Sequence, residues 1–219
     1  MARSTIAVVL IAAAGLALSP IAHGQDYHTP WEGGVDLIYQ GGKTLNFDGG
    51  TSANLESDFG FSIYFGYRAT PHIEAQFAFD WSNADYQANL AGQFGGLTTA
   101  HGSYTSFTPR VNVQFNLLDG PLTPYAVAGI GYSFIDTNIP AGRPQSGCWW
   151  DPWYGYVCGS VQPTKSVDGF AFQFGIGGRW DVSEMLSLKL AWERHWVDLG
   201  HGAGTPYLDQ ARLGATYRF

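Results

Sequence analysis

Apolar and polar side chains alternate along this chain, one residue at a time, in eight separate runs. In "GFSIYFGY" (60–67), Phe61, Ile63, Phe65 and Tyr67 share one face, and Ser62, Tyr64 and Gly66 share the other. "IEAQFAFDW" (73–81) sets Ile73, Ala75, Phe77, Phe79 and Trp81 against Glu74, Gln76, Ala78 and Asp80. "RVNVQFNL" (110–117), "FAFQFGIGGRW" (170–180), "LSLKLAWERHW" (186–196) and "ARLGATYRF" (211–219) repeat the pattern, with "WEGGVDLIY" (31–39) and "YAVAGIGYSF" (125–134) as weaker members. A period of two is the signature of a strand with two chemically different faces. "DVSEMLSLKLAWERHW" also has capping-box spacing at Asp181 and Glu184, but the period of two from Leu186 to Trp192 makes it a strand. Pro109 cannot donate to a ladder, so it is expected at the outer end of its strand or in a bulge.

Connections alternate as well. Short turns at Ala69-Thr70-Pro71, Asp119-Gly120-Pro121 and Asp181-Val182-Ser183 follow the second, fourth and sixth strands. Long polar segments at 41–57, 83–103, 136–167 and 198–206 follow the odd-numbered ones. Each run is about 8–12 residues, which suits the 9–11 that a tilted strand needs to cross a bilayer. The predicted fold is all-β: an eight-stranded antiparallel up-and-down transmembrane β-barrel with its turns at one rim and its loops at the other.

Residues 1–24 are set apart from this pattern. Arg3, the apolar run Ile6 to Leu18 and the small-x-small site Ala22-His23-Gly24 read as a cleaved secretory signal, leaving a barrel domain at 25–219. Loss of Arg3 takes the formal net charge from −7 to −8, which argues against a nucleic-acid partner. The composition, 16% aromatic with 29 glycines and only 13% charged residues, fits many short strands better than a helical globule.

The two faces separate a membrane barrel from a soluble one of the same period. The apolar face ends in aromatics at both rims: Tyr39, Phe59, Trp81, Phe107, Phe134, Phe170, Trp196 and Tyr207 near the loops, and Trp31, Tyr67, Trp180 and Phe219 near the turns. These are the girdles expected at two lipid–water interfaces. Parity puts the charges on the opposite, inward face. The acids are Glu32, Asp36, Asp58, Glu74, Asp80 and Glu193, and the bases are Arg68, Arg110, Arg179, Lys189, Arg212 and Arg218. An eight-stranded lumen is just wide enough for side chains, so these charges either pair into a network that plugs it or meet water at the rims. Inward glycines are expected to make room for the long Arg and Lys side chains.

With its export signal, its eight-strand layout, "PYAVAGIGYSF" on the fifth strand and "ATYRF" at the C-terminus, the chain resembles the small outer-membrane barrels of the outer-membrane-protein-A and opacity-protein type. The resemblance implies the Gram-negative outer membrane, contact with its lipids and lipopolysaccharide, and recognition of Tyr217 and Phe219 by barrel-assembly machinery. No trailing peptidoglycan-binding domain is expected.

Cys148 and Cys158 are the chain's two cysteines and fall in the longest loop. Export to an oxidising compartment lets them pair across a hairpin turning at Asp151-Pro152, closing a short loop worth about 3 kcal/mol of unfolded-chain entropy. Between them lie Trp149, Trp150, Trp153, Tyr154 and Tyr156. Two readings stand: a rigid tip for an unknown surface ligand, or aromatics that fold together or rest on lipopolysaccharide. No metal, cofactor or catalytic residue is expected. The late-strand His-x-Ser motif of lipid A deacylases is missing, since Val197 stands two residues after His195, and His195 and His201 read as hydrated residues at a loop mouth. The function expected is a non-enzymatic, largely plugged barrel serving envelope integrity and surface contact. The alternatives are a narrow porin for ions or small solutes and, third, a lipid A-modifying enzyme.

Overall fold

The computed structural model describes residues 30–46, 52–91, 97–141, 143, 145–161, 163–199 and 205–219. Strands account for nearly all of them: β1 (Trp31–Gln40), β2 (Lys43–Asn46), β3 (Ser52–Leu55), β4 (Asp58–Arg68), β5 (Ile73–Ala91), β6 (Leu97–Asn116), β7 (Leu122–Pro140), β8 (Gln145–Asp151), β9 (Gly155–Val161), β10 (Thr164–Asp181), β11 (Leu186–Asp198) and β12 (Tyr207–Arg218). Eight of these, β1, β4, β5, β6, β7, β10, β11 and β12, pair in that order and close through β1–β12 into an antiparallel barrel. Closure satisfies each backbone group on a neighbouring strand, the condition for crossing hydrocarbon without helices. The stretch that could have capped a helix at Asp181 is the end of β10 and the start of β11, with Val182 N–H and Ser183 N–H both donating to Leu186 O at 2.9 and 3.1 Å.

The burial pattern follows the predicted parity. On β4, Phe59, Phe61, Ile63, Phe65 and Tyr67 point outward and are 38–59% exposed, while Gly60, Ser62, Tyr64, Gly66 and Arg68 are buried inside. Aromatics contact one another around the loop-side rim, from Tyr39–Phe59 (5.3 Å between ring centres) through Phe61–Trp81 (5.0 Å), Trp81–Phe107 (5.1 Å) and Phe107–Phe134 (6.3 Å) to Tyr132–Phe170 (5.3 Å). Trp31 packs on Tyr67 at 4.9 Å at the turn-side rim.

Three expectations need correcting. Much of segments 83–103 and 136–167 is strand rather than loop: β5, β6, β7 and β10 reach 18–20 residues, because the ladder continues from Ser82↔Ser106 to Ala91↔Leu97 on one hairpin and to Pro140↔Thr164 on another. Alternation persists there with the faces exchanged, so a search for an outward apolar face ends too early. Pro109 neither ends its strand nor marks a bulge. The β6–β7 ladder steps from Phe107↔Phe134 to Arg110↔Gly131 in one register, and the Thr108 and Ser133 hydroxyls bond across the gap at 2.7 Å. The inward glycines chiefly admit tyrosine rings, carboxylates and amides rather than cations. A Cβ at Gly34 would fall inside the Tyr64 ring, and one at Gly129 would collide with the Asn112 side chain.

Replacing Gly34 with Val should therefore displace Tyr64 and cost about 1–3 kcal/mol, the usual penalty for overpacking. Gly178→Val, whose Cβ meets nothing within 4 Å on the outward face, should be nearly neutral. Urea unfolding of each variant in lipid vesicles, followed by tryptophan fluorescence, checks the pair.

Candidate functional site

Strand parity aims the charged side chains into the lumen, where they separate into two clusters. The turn-side cluster is organised by Glu32 on β1 and Glu74 on β5. Glu32 lies 2.8 Å from Arg179, 3.2 Å from Arg68, 3.3 Å from Lys189 and 3.7 Å from Arg218. Glu74 lies 3.2 Å from Arg179 and 3.5 Å from Lys189. Asp181 completes it, 2.8 Å from Arg179 and 3.2 Å from Arg218, with Ser187 Oγ donating to it at 2.6 Å. The cluster thus sets four cations against three carboxylates.

The loop-side cluster reverses that imbalance. Asp80 lies 3.0 Å from Arg110 and 2.5 Å from Arg212, Glu193 lies 3.4 Å from Arg110 and 2.8 Å from Arg212, and Asp36 lies 3.7 Å from Arg212. Two cations face three carboxylates. The twelve charges sum to zero only across both clusters, which obliges the two layers to attract each other along the barrel axis. Between them, Gln76 Nε2 donates to Glu74 at 2.7 Å and Lys189 Nζ to Gln114 at 3.1 Å, and Tyr64 places its ring 4.8 Å from Lys189 and its hydroxyl on Thr216. The void at the junction, bordered by Asp36, Tyr64, Arg110, Tyr125, Lys189 and Arg212, measures ≈ 20 Å³. That is room for about one water molecule.

The lumen charges expected from the sequence, Glu32, Asp36, Glu74, Asp80, Arg110, Arg179, Lys189, Glu193, Arg212 and Arg218, all face this interior. Two changes of membership follow from the structure. Asp58 sits half-buried at the loop-side end of β4 and accepts the Phe59 N–H at 2.6 Å, outside the clusters. Asp181, read from the sequence as a turn residue, is the inward last residue of β10 and takes its place. Extending the parity of Gly175, Gly177 and Arg179 by one more step would have found it.

Above the loop-side cluster lies His195, and here the expectation of a hydrated loop-mouth histidine fails. It is buried inside β11, and its Nδ1 has no hydrogen-bond partner among the described residues. It borders a ≈ 40 Å³ cavity together with Asp80, Ser82, Ser106, Thr108 and Ser133. The hydroxyls there bond each other, Ser82 to Ser106 at 2.6 Å and Thr108 to Ser133 at 2.7 Å, and Asp80 is held by two guanidinium groups. Acyl transfer needs a hydroxyl within reach of a base, and among the described residues no hydroxyl bonds to His195 Nδ1. His201 lies outside them.

A profile described as "Outer membrane protein beta-barrel domain" matches residues 7–219. The chain belongs to that family. Its location is therefore the outer membrane. The barrel superposes on Neisserial surface protein A with a TM-score of 0.53 at 12% identity, covering 87% of this chain and 98% of that one. The outer membrane protein OprG of Pseudomonas aeruginosa aligns with a TM-score of 0.49 at 15% identity over 86% of this chain and 94% of that one. The outer membrane protease OmpT of Escherichia coli aligns at 0.48 and 10% identity over 93% and 99%. At 12% identity the likeness to Neisserial surface protein A is one of fold. No curated protein sequence matches the chain.

At the barrel's loop end, β8 and β9 form a separate two-stranded sheet with Cys148 opposite Cys158 and a disulfide joining them. Asp151 Oδ1 makes the turn by accepting the N–H groups of Trp153 at 2.8 Å and Tyr154 at 2.9 Å, and Gly155 supplies the left-handed residue (φ 76°). Trp150, Trp153, Tyr154 and Tyr156 are 70–88% exposed, and Trp150 sits opposite Tyr156 on the disulfide's face. The Trp149 side chain lies outside the described residues. On the barrel's outer surface, Arg194 pairs with Asp209 (2.7 and 3.1 Å) and lies 4.3 Å from the Tyr207 ring, so a neighbouring carboxylate answers this lipid-side cation. At the C-terminal end, the Tyr217 hydroxyl donates to Met185 Sδ at 3.5 Å and Phe219 N–H to Trp31 O at 3.2 Å.

Glu32→Ala should cost about 3–5 kcal/mol, since it strips a carboxylate from among four buried cations. Asp58→Ala, at the rim, should stay within about 0.5 kcal/mol. Urea titrations of the two variants in the same vesicles measure the contrast. Replacing both Cys148 and Cys158 by Ser should leave the barrel's unfolding midpoint unchanged and speed amide exchange in β8 and β9.

Proposed function

We propose that this protein is a non-enzymatic outer-membrane barrel whose lumen is sealed by paired charges, contributing to envelope integrity and offering contacts through its extracellular hairpins. The observation that carries the reading is the pair of oppositely biased charge clusters with a ≈ 20 Å³ void between them. A hydrated ion has no room to pass without breaking ion pairs that the low-dielectric interior makes expensive to break. The absence of catalysis is favoured by hydroxyls committed to one another around His195.

On this reading residues 1–24 are removed on export, Tyr217 and Phe219 present the barrel to the assembly machinery, and the aromatic girdles bind outer-membrane lipids and lipopolysaccharide. The exposed Trp150, Trp153, Tyr154 and Tyr156 form the surface offered to a partner outside the cell, with the disulfide limiting the entropy lost on contact.

Planar-bilayer recording of the folded protein tests the sealed lumen. The expected result is silence across a wide voltage range, with Glu74→Ala and Arg110→Ala lowering stability. Stepwise conductance whose ion selectivity changes in those two variants would instead establish a pore lined by these charges.

A further inference from the structure

Above the loop-side aromatic rim the barrel exchanges the chemistry of its two faces. Along β5 the outward positions pass from Phe79 and Trp81 to Asn83 and Asp85, and the inward ones from Asp80 and Ser82 to Ala84 and Tyr86. On β7 the outward Phe134 gives way to Asp136 and the inward Ser133 to Ile135. On β10 and β11 the outward Phe170 and Trp196 give way to Asp168 and Asp198, and the inward series reaches Val167 and Val197. Below the rim the barrel is dressed for lipid outside and polar packing inside. Above it, the barrel is dressed for water outside and an apolar core inside.

The described residues leave that core unfilled. Leu55, Tyr86, Ile135, Val167, Val197 and Leu208 border a cup of ≈ 230 Å³. Its polar atoms are few and largely engaged: the Tyr104 hydroxyl accepts from Gln40 Nε2 at 2.6 Å, and the Thr137 hydroxyl donates to Lys165 O at 2.7 Å. Beneath it the inward face turns polar again at His195 and Gln210, around the ≈ 40 Å³ cavity. The cup therefore has apolar walls and a floor that admits nothing much larger than water.

We propose that this cup is a binding site for a small, neutral, apolar molecule, of the class of a substituted single aromatic ring or a short alkyl chain. An apolar cavity of about 150 Å³ already holds benzene, so the volume suits a ligand of that size or somewhat larger. No charged side chain lines the cup among the described residues, so neither a carboxylate nor an ammonium would find a partner there. The acids on the outside of the same walls, Asp85, Asp136, Asp168 and Asp198, further disfavour anions. Water gains little from such walls, and an apolar guest gains contact with all of them. The site goes beyond the sealed-barrel reading and does not depend on it.

The test is a titration of toluene against the full folded protein in lipid nanodiscs, read by NMR of ¹³C-labelled Ile, Leu and Val methyls. The Ile135, Val167, Val197 and Leu208 methyls should shift and saturate. The lipid-facing Ile63, Val111 and Leu213 methyls should move only in proportion to the toluene dissolved in the bilayer. Val197→Trp fills the cup and should abolish the saturable shifts, with Leu208→Phe as the second filling variant should the first fail to fold. Octanoate should need at least about ten-fold higher concentration, because its carboxylate cannot be buried unpaired. Cup methyls that track the lipid-facing ones, the result expected if a segment of the chain itself occupies the cup, would overturn the proposal. So would saturable shifts that survive a folded filling variant.

Discussion

Eight strands closed on themselves leave an interior wide enough for side chains and for little else, and the rest of the structure answers to that width. Long cations enter such a space only if each finds carboxylates within reach, because water cannot solvate them there. Arg179 meets Glu32, Glu74 and Asp181, and Arg212 meets Asp36, Asp80 and Glu193. The same width fixes where side chains must be missing. Tyr64 can lie over β1 and reach Thr216 on β12 because position 34, between the two in the ladder, carries no Cβ, and Tyr125 finds similar room at Gly177.

The lipid sets the outer boundary of this design. While the strands lie in hydrocarbon, apolar side chains stabilise them outside and polar ones are confined to the lumen. Once the strands pass the rim of aromatics, water surrounds them and the preference reverses on both faces. The change from Phe134 and Ser133 to Asp136 and Ile135 takes two positions on one strand, which locates the boundary closely. One continuous barrel is thus built for two solvents, with a polar plug in the lower part and an apolar cup in the upper. The β8–β9 hairpin carries its own cross-link instead of a core, as a two-stranded ribbon standing alone requires.

Much of this was legible in the sequence because the period of two is a local property. A strand's neighbours do not alter which of its residues face the same way, so the eight runs, the two girdles and the inward placement of Glu32, Glu74, Arg179 and Arg212 follow from parity once the chemistry of the two faces says which one meets lipid. The cysteine spacing likewise pointed to a hairpin, since a ten-residue separation returns the chain to its own start. Tertiary structure decided what parity cannot carry. It set how far each strand continues once its neighbour keeps pairing with it, hence the reassignment of 83–91 and 164–167 from loop to strand. It set which inward charges meet across the barrel, because that depends on stagger between strands far apart in sequence; Asp181 joined the network and Asp58 did not. It also decided where His195 lies and whether an apolar cup remains open above it. These are properties of a closed cross-section, and a cross-section exists only once the first and last strands have met.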